Sequence, residues 1–456
     1  MHHPLLKALF SLWLLTGVAC SPANHTPSNV GDSALADVAV PNNQADYLYV
    51  AAEYDEHDIR IHYRLEVENP SWYHQYWVYR AGEWHLKGSG IPGQDPHGLY
   101  EDRISMLLDD GSVQGFDRFG GFMLVHPGMR SLDSAVSPQE VAAHPLLGSD
   151  IQDQLDKHQV RKYLPQSRNG EYYSDPARWH DTKTREQLAA MQRDGVFLDL
   201  WQWRAHRSNP VGYADNGYVL HSRLDSSGRA MSTLNQHAAS QRPAYMFDVE
   251  QVGHHALRWE QLTQRAYDQD DAYFLTENTA VAFDSEHAWQ EGDVLPYYLL
   301  QTPNGPRAAI RAQGRYADGH WRVTLSRTLA SPNPLDSKAL QSGGLYHVAF
   351  AVHHGGVGAR FHHVSLPYSL GLGVDADIVA TPAQSPGDDN QLTWHQIGLV
   401  NPHQVDWEWL VTRHQGANFI RGDMPVGVRD QHGHRAAFQR YLDRHEQRRK
   451  YSQPSN

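Results

Sequence analysis

Cysteine is nearly absent from this sequence: Cys20 is the only one in 456 residues. A disulfide framework needs paired cysteines, and structural zinc sites commonly use two to four thiolates. Thioether attachment of haem uses two cysteines followed by a histidine. The single cysteine near the N-terminus therefore excludes all three arrangements from the body of the chain.

Positive charge is also scarce. The chain has 39 Lys and Arg residues against 52 Asp and Glu residues, which gives a formal net charge of −13. A nucleic-acid partner requires concentrated Lys and Arg to neutralise phosphates, so we expect none. Long apolar runs are missing apart from one at the N-terminus, so we expect contact with a membrane only through a lipid anchor.

That apolar run, PLLKALFSLWLLTGVA, covers residues 4–19 and ends at Cys20. Its length is typical of a signal peptide and is short for a membrane span. The small residues before Cys20 resemble a lipobox, and Ser21 after it resembles the sorting signal of outer-membrane lipoproteins in Gram-negative bacteria. We predict a signal peptide at 1–19, a lipidated Cys20 and an outer-membrane location facing the periplasm. The alternative is an ordinary secreted protein with a chance cysteine.

Familiar catalytic motifs are missing too. The sequence has no GxSxG, no P-loop, no HExxH and no GxGxxG after a strand, so we do not predict an enzyme. Histidine is common, with 30 residues, and includes adjacent pairs such as His353-His354 and His362-His363. Neighbours in a strand face opposite sides, so each pair supplies at most one ligand to a given site. We interpret these histidines as surface or partly buried residues.

Residues 46–374 contain sequence patterns that are typical of β-strands. In DIRIHYRLEVE (58–68) apolar and polar residues alternate, as in a half-buried strand. Asp318-Gly319 stands between two alternating runs and predicts a two-residue hairpin. The expected fold class is mostly β, an antiparallel β-sandwich.

Helical spacing interrupts these strands at 137–164 and 175–195, which predicts a helical insertion at about 134–196. Residues 20–45 are polar and have the composition of a flexible tether. Beyond the β region, 375–456 is predicted to be a linker followed by a short α-containing C-terminal tail.

The aromatic stretch FLDLWQWRAHRSNPVGYADNGYV (197–219) is distinctive. Trp201 and Trp203 share one face of an extended segment, and Arg204 follows them. On spacing alone, a core strand with inward indole rings is one interpretation. A ligand-binding aromatic face is the other.

Several segments, in this order along the chain, resemble one known family: YEDRISMLLDD (100–110), VRKYLPQSRNGEYY (160–173), DLWQWRAHRSNPVGYADN (199–216), GPRAAIRAQGRYADGHWRVTLSRTL (305–329) and ARFHHVSLPYSLGLG (359–373). The family is the haem-binding domain related to the gamma subunit of ethylbenzene dehydrogenase, also described as the cytochrome c-552/DMSO reductase-like haem-binding domain. The resemblance covers roughly residues 46 to 374.

The resemblance implies haem, and it draws attention to GGFMLVHPGMRSL (120–132). In many relatives with covalent haem, this segment carries a cysteine pair followed by histidine. Here His126 is retained without cysteines, so the chain resembles a cysteine-less variant that would hold haem b non-covalently. His126 and Met129 are then the axial candidates and Met123 a further one, because His and Met side chains bind haem iron. The second axial ligand stays open, as does a reading in which Met123 and Met129 fill a gap in the core and His126 is hydrogen-bonded.

The resemblance further implies that Trp201, Trp203 and Arg204 contribute to the haem site. The expected role is electron transfer, or service as an accessory to a redox enzyme, with an unidentified redox partner. The alternative is a β-sandwich module that uses Trp201 and Trp203 to hold a carbohydrate-type ligand without haem. A third hypothesis is an interaction lipoprotein without a small ligand.

Overall fold

Strands make up most of the secondary structure of this chain. The computed structural model describes residues 47–88, 93–94, 98–124, 126, 128–129, 135–150, 159–170, 178–354, 356–357, 362–383 and 392–400. The predicted signal peptide, the lipidated Cys20 and the tether at 20–45 lie outside these described residues, as does the predicted tail beyond residue 400.

In the described residues the strands are β1 (Tyr47–Tyr54), β2 (Asp58–Glu66), β3 (Tyr76–Arg80), β4 (Glu83–Lys87), β5 (Gly93–Gln94), β6 (Arg103–Asp109), β7 (Leu198–Arg204), β8 (Tyr213–Val219), β9 (Arg223–Asp225), β10 (Ser232–Leu234), β11 (Tyr245–Phe247), β12 (Leu257–Arg258), β13 (Leu275–Thr276), β14 (Ala280–Ala282), β15 (Asp293–Pro296), β16 (Tyr298–Leu300), β17 (Ile310–Ala317), β18 (His320–Thr328), β19 (Leu345–His353), β20 (Gly356–Val357), β21 (His362–Ser365), β22 (Tyr368–Leu372), β23 (Ile378–Pro382) and β24 (His395–Val400). The α-helices are α1 (Phe116–Phe119), α2 (Pro138–Ala142), α3 (Leu147–Asp150), α4 (Arg185–Arg193), α5 (Val249–Val252) and α6 (Trp259–Thr263). Single turns of 3-10 helix lie at Gly120–Leu124, Pro165–Ser167, Asn209–Val211 and Gly305–Ala308.

Ten of the strands close into an antiparallel barrel. Their hydrogen-bonded order is β2–β18–β17–β8–β7–β6–β19–β21–β24–β1, and β1 pairs back with β2. The mostly β, antiparallel prediction is confirmed, but the predicted sandwich is corrected to a barrel. Inward and outward residues alternate in both architectures, so the alternation could not distinguish them. The difference lies in the closing pair of strands, which leaves neither end of the ring as an open edge.

Large apolar side chains fill the barrel interior. On β2, Ile59, Ile61, Tyr63 and Leu65 point inward and are each at most 1% exposed, which confirms the alternation seen in the sequence. Burial of each such side chain contributes about 1.5–3 kcal/mol to the free energy of folding. The interior is therefore a packed core.

The predicted two-residue hairpin is confirmed between β17 and β18. Asp318 has a φ of 52° and Gly319 a φ of 79°. Positive φ at both central residues is the requirement of a type I′ turn, whose twist matches that of paired strands. The turn sets the register in which Gly314 faces Val323.

The segment predicted to be a linker after residue 374 contributes two strands. β23 pairs in parallel with β22 and with the end of β1, and β24 pairs with the start of β1 and with β21. The Pro- and Asp-rich composition suggested a linker, yet Ile378, Ala380 and Ile397 are fully buried. Burial of these few apolar residues in the barrel wall outweighs the local composition.

Short helices occupy the predicted insertion. The side chain of Ser137 accepts a hydrogen bond from the backbone N–H of Glu140, and Glu140 accepts one in return, so α2 begins where the sequence indicated. Within the segment of helical spacing at 137–164, α2 ends at Ala142, Pro145 follows, and α3 is a separate helix. α4 begins after Thr184, with residues 171–177 outside the described part.

These helices cover one side of the barrel. Leu107, Leu200 and Ala349, which face outward on β6, β7 and β19, share an apolar cluster with residues of the insertion such as Val141, Leu164 and Leu188. The outer face of this part of the sheet is therefore buried, unlike that of a barrel in water. The candidate functional site lies in this apolar layer on the outer barrel face.

A second lobe, which the sequence did not indicate, packs around its own aromatic core. Tyr73, Tyr76, Trp77, Phe247 and Tyr273 are buried there, next to the four-stranded sheet β12–β15–β3–β4. Across the described residues, no helix has the length and apolar character required to cross a lipid bilayer.

Candidate functional site

A cavity lies on the outer face of four adjacent barrel strands, β7, β6, β19 and β21. It bounds about 1100 Å³ of empty space, including the part that is open to solvent. Part of this volume is open to solvent, so the space enclosed between the side chains is smaller.

Strand pairing arranges the cavity floor in three rows. The first row is polar, because Arg103, His353 and His362 are register partners on β6, β19 and β21. The next two rows contain small, amide or apolar side chains: Ser105, Ala351 and Gln202, then Leu107, Ala349 and Leu200. Alternate residues of a strand are about 7 Å apart, so the three rows extend about 13 Å from a polar to an apolar end.

The two histidines of the polar row stack on each other. The ring centroids of His353 and His362 are 4.9 Å apart and their planes differ by 12°. Burial lowers the pKa of His353 well below its ordinary value, and the nearby His362 and Arg103 lower it further. His353 is therefore neutral at pH 7, with a lone pair available to a metal.

Met129 lies in the cavity wall, in the segment that precedes α2. It lines the cavity, is 5% exposed, and forms an isolated parallel bridge with Val160. Its Sδ accepts a hydrogen bond from the backbone N–H of His126 at 3.3 Å. The backbone turn thus positions the thioether, whose second lone pair stays available.

His126 and Met123 do not line the cavity. His126 is 1% exposed and stacks on Tyr163, with ring centroids 4.3 Å apart. Burial lowers the pKa of His126 to about 3, Arg168 lowers it further, and hydrogen bonding to the backbone of Tyr163 and Met123 opposes the shift. Met123 is fully buried in the apolar layer beneath the helices. Of the three candidates in this stretch, the structure brings only Met129 to the cavity wall.

Trp201 and Trp203 face the barrel interior and have no exposed surface. Trp203 packs 5.0 Å from Trp321, ring centroid to ring centroid, and its Nε1 donates a hydrogen bond to Asn209. A Cβ at Gly314 would lie 2.5 Å from Trp203, so that position must be glycine. The structure favours the core-strand interpretation of both tryptophans and removes the surface on which a carbohydrate would stack.

Arg204 does not line the cavity itself, but it contacts Gln202, which does. It forms an ion pair with Asp215, and its Nε and Nη2 donate to Gln202 Oε1 at 2.9 and 2.6 Å. Gln202 lines the cavity floor, and its Nε2 donates to Ser105. Burial lowers the pKa of Arg204 to about 10, which leaves it charged at pH 7. Its role is to position Gln202.

Sequence reasoning missed the histidine pair and four cations that line the cavity, Arg103, Arg161, Lys162 and Arg223. A usable signal for the pair was present: the two histidine doublets lie at the end of β19 and at the start of β21, and alternation along a strand places one histidine of each doublet on a given face. The cations come from segments far apart in the chain, so no local spacing could reveal them.

Comparison with known proteins agrees with the resemblance seen in the sequence. Cytochrome c-552 of Stutzerimonas stutzeri is 38% identical over 76 residues, which is 17% of this chain and 25% of that protein. The chain thus spans about a quarter of the length of this curated relative. A family model described as ethylbenzene dehydrogenase matches residues 23–365, which is more than half of the chain. The chain belongs to the ethylbenzene dehydrogenase family.

Proposed function

We propose that this protein binds haem b non-covalently in the cavity on the outer barrel face and uses it for electron transfer. One observation carries the proposal: a methionine thioether and a pair of stacked imidazoles, from Met129, His353 and His362, line the same cavity. Thioether and imidazole are haem axial ligands, and a centre with two protein ligands favours electron transfer over catalysis.

The residues present fit such a group. Among the described residues, the buried Nδ1 of His353 has no hydrogen-bond partner, which is costly unless the imidazole serves a ligand or water. Met129 supplies a soft donor, while the row of the floor furthest from the histidines is apolar. With Cys20 as the only cysteine, attachment is non-covalent. When bound, haem supplies a one-electron Fe(III)/Fe(II) couple.

Side chains around the site would set the reduction potential of this iron couple. An imidazole of His353 or His362 would hold the iron. The hydrogen bond from the His126 N–H fixes the Met129 sulfur, so His126 contributes through its backbone. The apolar row with Leu107 and Leu200 would limit the access of water to the bound group, which would favour the less charged, reduced iron.

The location and partner belong to the same proposal. Acylation of Cys20 would anchor the protein in the outer membrane with the barrel facing the periplasm, and the lipid would be its only membrane contact. Its role is to pass electrons to or from a redox partner protein, without catalysis of its own and without nucleic acid. The acidic net charge of −13 gives no support for binding phosphates of nucleic acids.

Haemin titration of the apoprotein tests the site. The wild type is expected to give a six-coordinate spectrum with a sharp Soret band, and Met129→Ala and the double variant His353→Ala/His362→Ala should lose it. His126→Ala tests the ligand suggested by the sequence, and we expect it to keep iron coordination because the backbone N–H to Met129 remains. His85→Ala, at an exposed position on β4, is the matched control.

Two results would contradict the site. The first is an unchanged spectrum in both the Met129 variant and the double histidine variant. The second is haem that stays with the polypeptide through acidic acetone and a denaturing gel, since that would show covalent attachment. A colourless wild type that binds no haemin would contradict the proposed function itself.

A further inference from the structure

Three packed aromatic rings connect the cavity with the second lobe. Tyr100 lines the cavity, and its ring meets that of His74 edge to face, with ring centroids 4.8 Å apart. His74 stacks in turn on Tyr298, with centroids 5.4 Å apart and planes that differ by 28°. Both separations are those of aromatic pairs in contact. His74 is 2% exposed, whereas Tyr298, on β16, is partly exposed, so the Tyr100–His74–Tyr298 stack leads from the cavity wall to the protein surface.

One buried carboxylate, that of Glu101, holds the stack in place. It accepts hydrogen bonds from Arg103 at 3.2 Å and from Arg207 at 2.7 Å. These two guanidinium groups lie over the end rings of the stack, at 4.4 and 5.0 Å from the ring centroids. The backbone N–H of Glu101 donates to Nδ1 of the middle ring, His74, at 3.4 Å. Hydrogen bonds and cation–π contacts that start from a single residue therefore fix all three rings.

The outer end of the stack lies beside an exposed apolar side chain. Leu234 on β10 is the register partner of Tyr298 on β16 and is 39% exposed. Side chains of register partners lie on the same face of a sheet. The Tyr298 hydroxyl donates to Gln75 Oε1 at 3.1 Å, which fixes the orientation of the ring. An aromatic ring and a leucine thus meet where the stack reaches the surface, and such side chains are suited to contact with another protein.

We infer that the Tyr100–His74–Tyr298 stack carries electrons between the cavity and the surface of the second lobe, where the redox centre of a partner protein approaches Leu234 and Tyr298. The inference rests on the proposed haem function. One electron passes between the partner's redox centre and the iron, so one is oxidised and the other is reduced, and no bond forms or breaks. The rings are not oxidised themselves. They provide electronic coupling, because coupling falls more steeply across a gap than through packed groups.

A photoactive label at the outer end of the stack tests this path. Leu234→Cys, in the full chain with Cys20→Ser, offers a single thiol for a ruthenium polypyridyl complex that stands in for the partner's redox centre. After the protein is loaded with haemin, a flash transfers one electron from excited Ru(II) to Fe(III), which gives Ru(III) and Fe(II), and the Soret band reports the rate. We expect Tyr298→Leu to slow this transfer several-fold, because the smaller side chain leaves a gap in the stack. Tyr298→Phe keeps the ring and should keep the rate.

The same label at Leu345→Cys is the matched control. Leu345 is 52% exposed and begins β19, a cavity strand, at the end opposite to His353. We expect Tyr298→Leu to leave the transfer rate from this label unchanged. Haemin affinity and the reduction potential of the iron should also be unchanged, because Tyr298 does not line the cavity. If circular dichroism shows that Tyr298→Leu does not fold, Tyr100→Leu interrupts the stack at its inner end, and the rates from the two labels are compared in the same way.

The possible results separate the path from the haem site. An unchanged rate from position 234 in the Leu variant overturns the path and leaves haem binding intact. Equal slowing from both labels also overturns it, since the substitution then acts on the iron. A Phe variant as slow as the Leu variant contradicts the role of the ring. Wild type that binds no haemin overturns the proposed function and this inference together.

Discussion

Buried charges in this protein are held by specific partners. Arg327 and Asp199 have no exposed side-chain surface, and Arg327 Nη1 lies 2.5 Å from Asp199 Oδ2. Arg327 also donates to the carbonyl of Lys338 and lies over the ring of Trp201. The pair thus links β7 and β18 to the loop before β19, through groups that water does not reach.

We expect Arg327→Leu to lower the free energy of unfolding by about 3–5 kcal/mol, because it leaves the Asp199 carboxylate buried without its counter-ion. Urea unfolding at pH 7 measures the change. The double variant Arg327→Leu/Asp199→Asn removes both charges and should recover part of the loss. A loss below about 1 kcal/mol in the single variant would show that the pair contributes little.

His206 makes folding sensitive to pH. It is fully buried, and burial lowers its pKa to about 4, while Glu101 and the carbonyl of Trp72 oppose that shift. The folded state keeps His206 neutral, whereas the unfolded chain protonates it near pH 6.5. The stabilisation it provides is therefore present above pH 6.5 and is lost as the pH falls from 6.5 towards 4.

Between pH 7.5 and pH 5.0, this histidine should cost the wild type about 2 kcal/mol of unfolding free energy. His206→Gln, which is neutral at both pH values, should lose about that much less over the same interval. Chemical denaturation of both proteins at the two pH values gives the comparison. Equal losses in the two proteins would exclude His206 as a source of the pH dependence.

Among the structural elements, the β17–β18 hairpin shows how local sequence sets register. Its turn needs positive φ at Asp318 and Gly319, and β18 then pairs along its whole length with β2. An error in this turn would shift inward residues such as Trp321 to the outer face. The turn therefore helps to hold β18 in the register in which it pairs with β2 in the closed barrel.

Gly319→Val should destabilise the protein by about 1–3 kcal/mol, because a β-branched residue is strained at positive φ. Asp318→Asn is the control, since asparagine suits this turn position, and we expect it to stay within about 0.5 kcal/mol of the wild type. Thermal unfolding with circular dichroism detection reports both. Equal stability of the Val variant and the wild type would mean that the turn tolerates another conformation.

The helices and the Gly120–Leu124 turn pack on the outer face of the barrel, next to the cavity, and not in the barrel interior. α2 and the Gly120–Leu124 turn cover an apolar layer on the outer barrel face, and Met129 follows that turn along the chain. Gly121 lines the cavity and Gly120 packs tightly on Pro367, where a Cβ would lie 3.1 Å from Cδ. The glycine pair at the start of this stretch thus keeps the chain close to the sheet without filling the cavity.

For the whole molecule, we expect membrane attachment and haemin binding to depend on different residues. If Cys20 is acylated, its thiol is the attachment atom, and Cys20→Ser should release the protein from the membrane fraction while haemin binding by the barrel stays unchanged. Palmitate labelling with fractionation of both proteins measures this. Membrane association without label in the wild type would contradict the anchor.

The sequence by itself determined much of the local structure. Alternation identified β2, the Asp318-Gly319 pair identified the hairpin, and Ser137 identified the start of α2, because each depends on neighbours in the chain. The scarcity of cysteine excluded thioether attachment within the body of the chain, and Met129 was a ligand candidate from the start. Each of these inferences uses residues within a few positions of one another.

Only the tertiary structure decided the rest. Barrel closure, the inward orientation of Trp201 and Trp203, and the cavity where Met129, His353, His362 and the basic residues meet all depend on contacts between segments far apart in the sequence. Strand alternation fixes two faces but does not say which one meets the core and which one meets the helices. That choice depends on which arrangement buries more apolar surface over the whole chain, and no local pattern contains this sum.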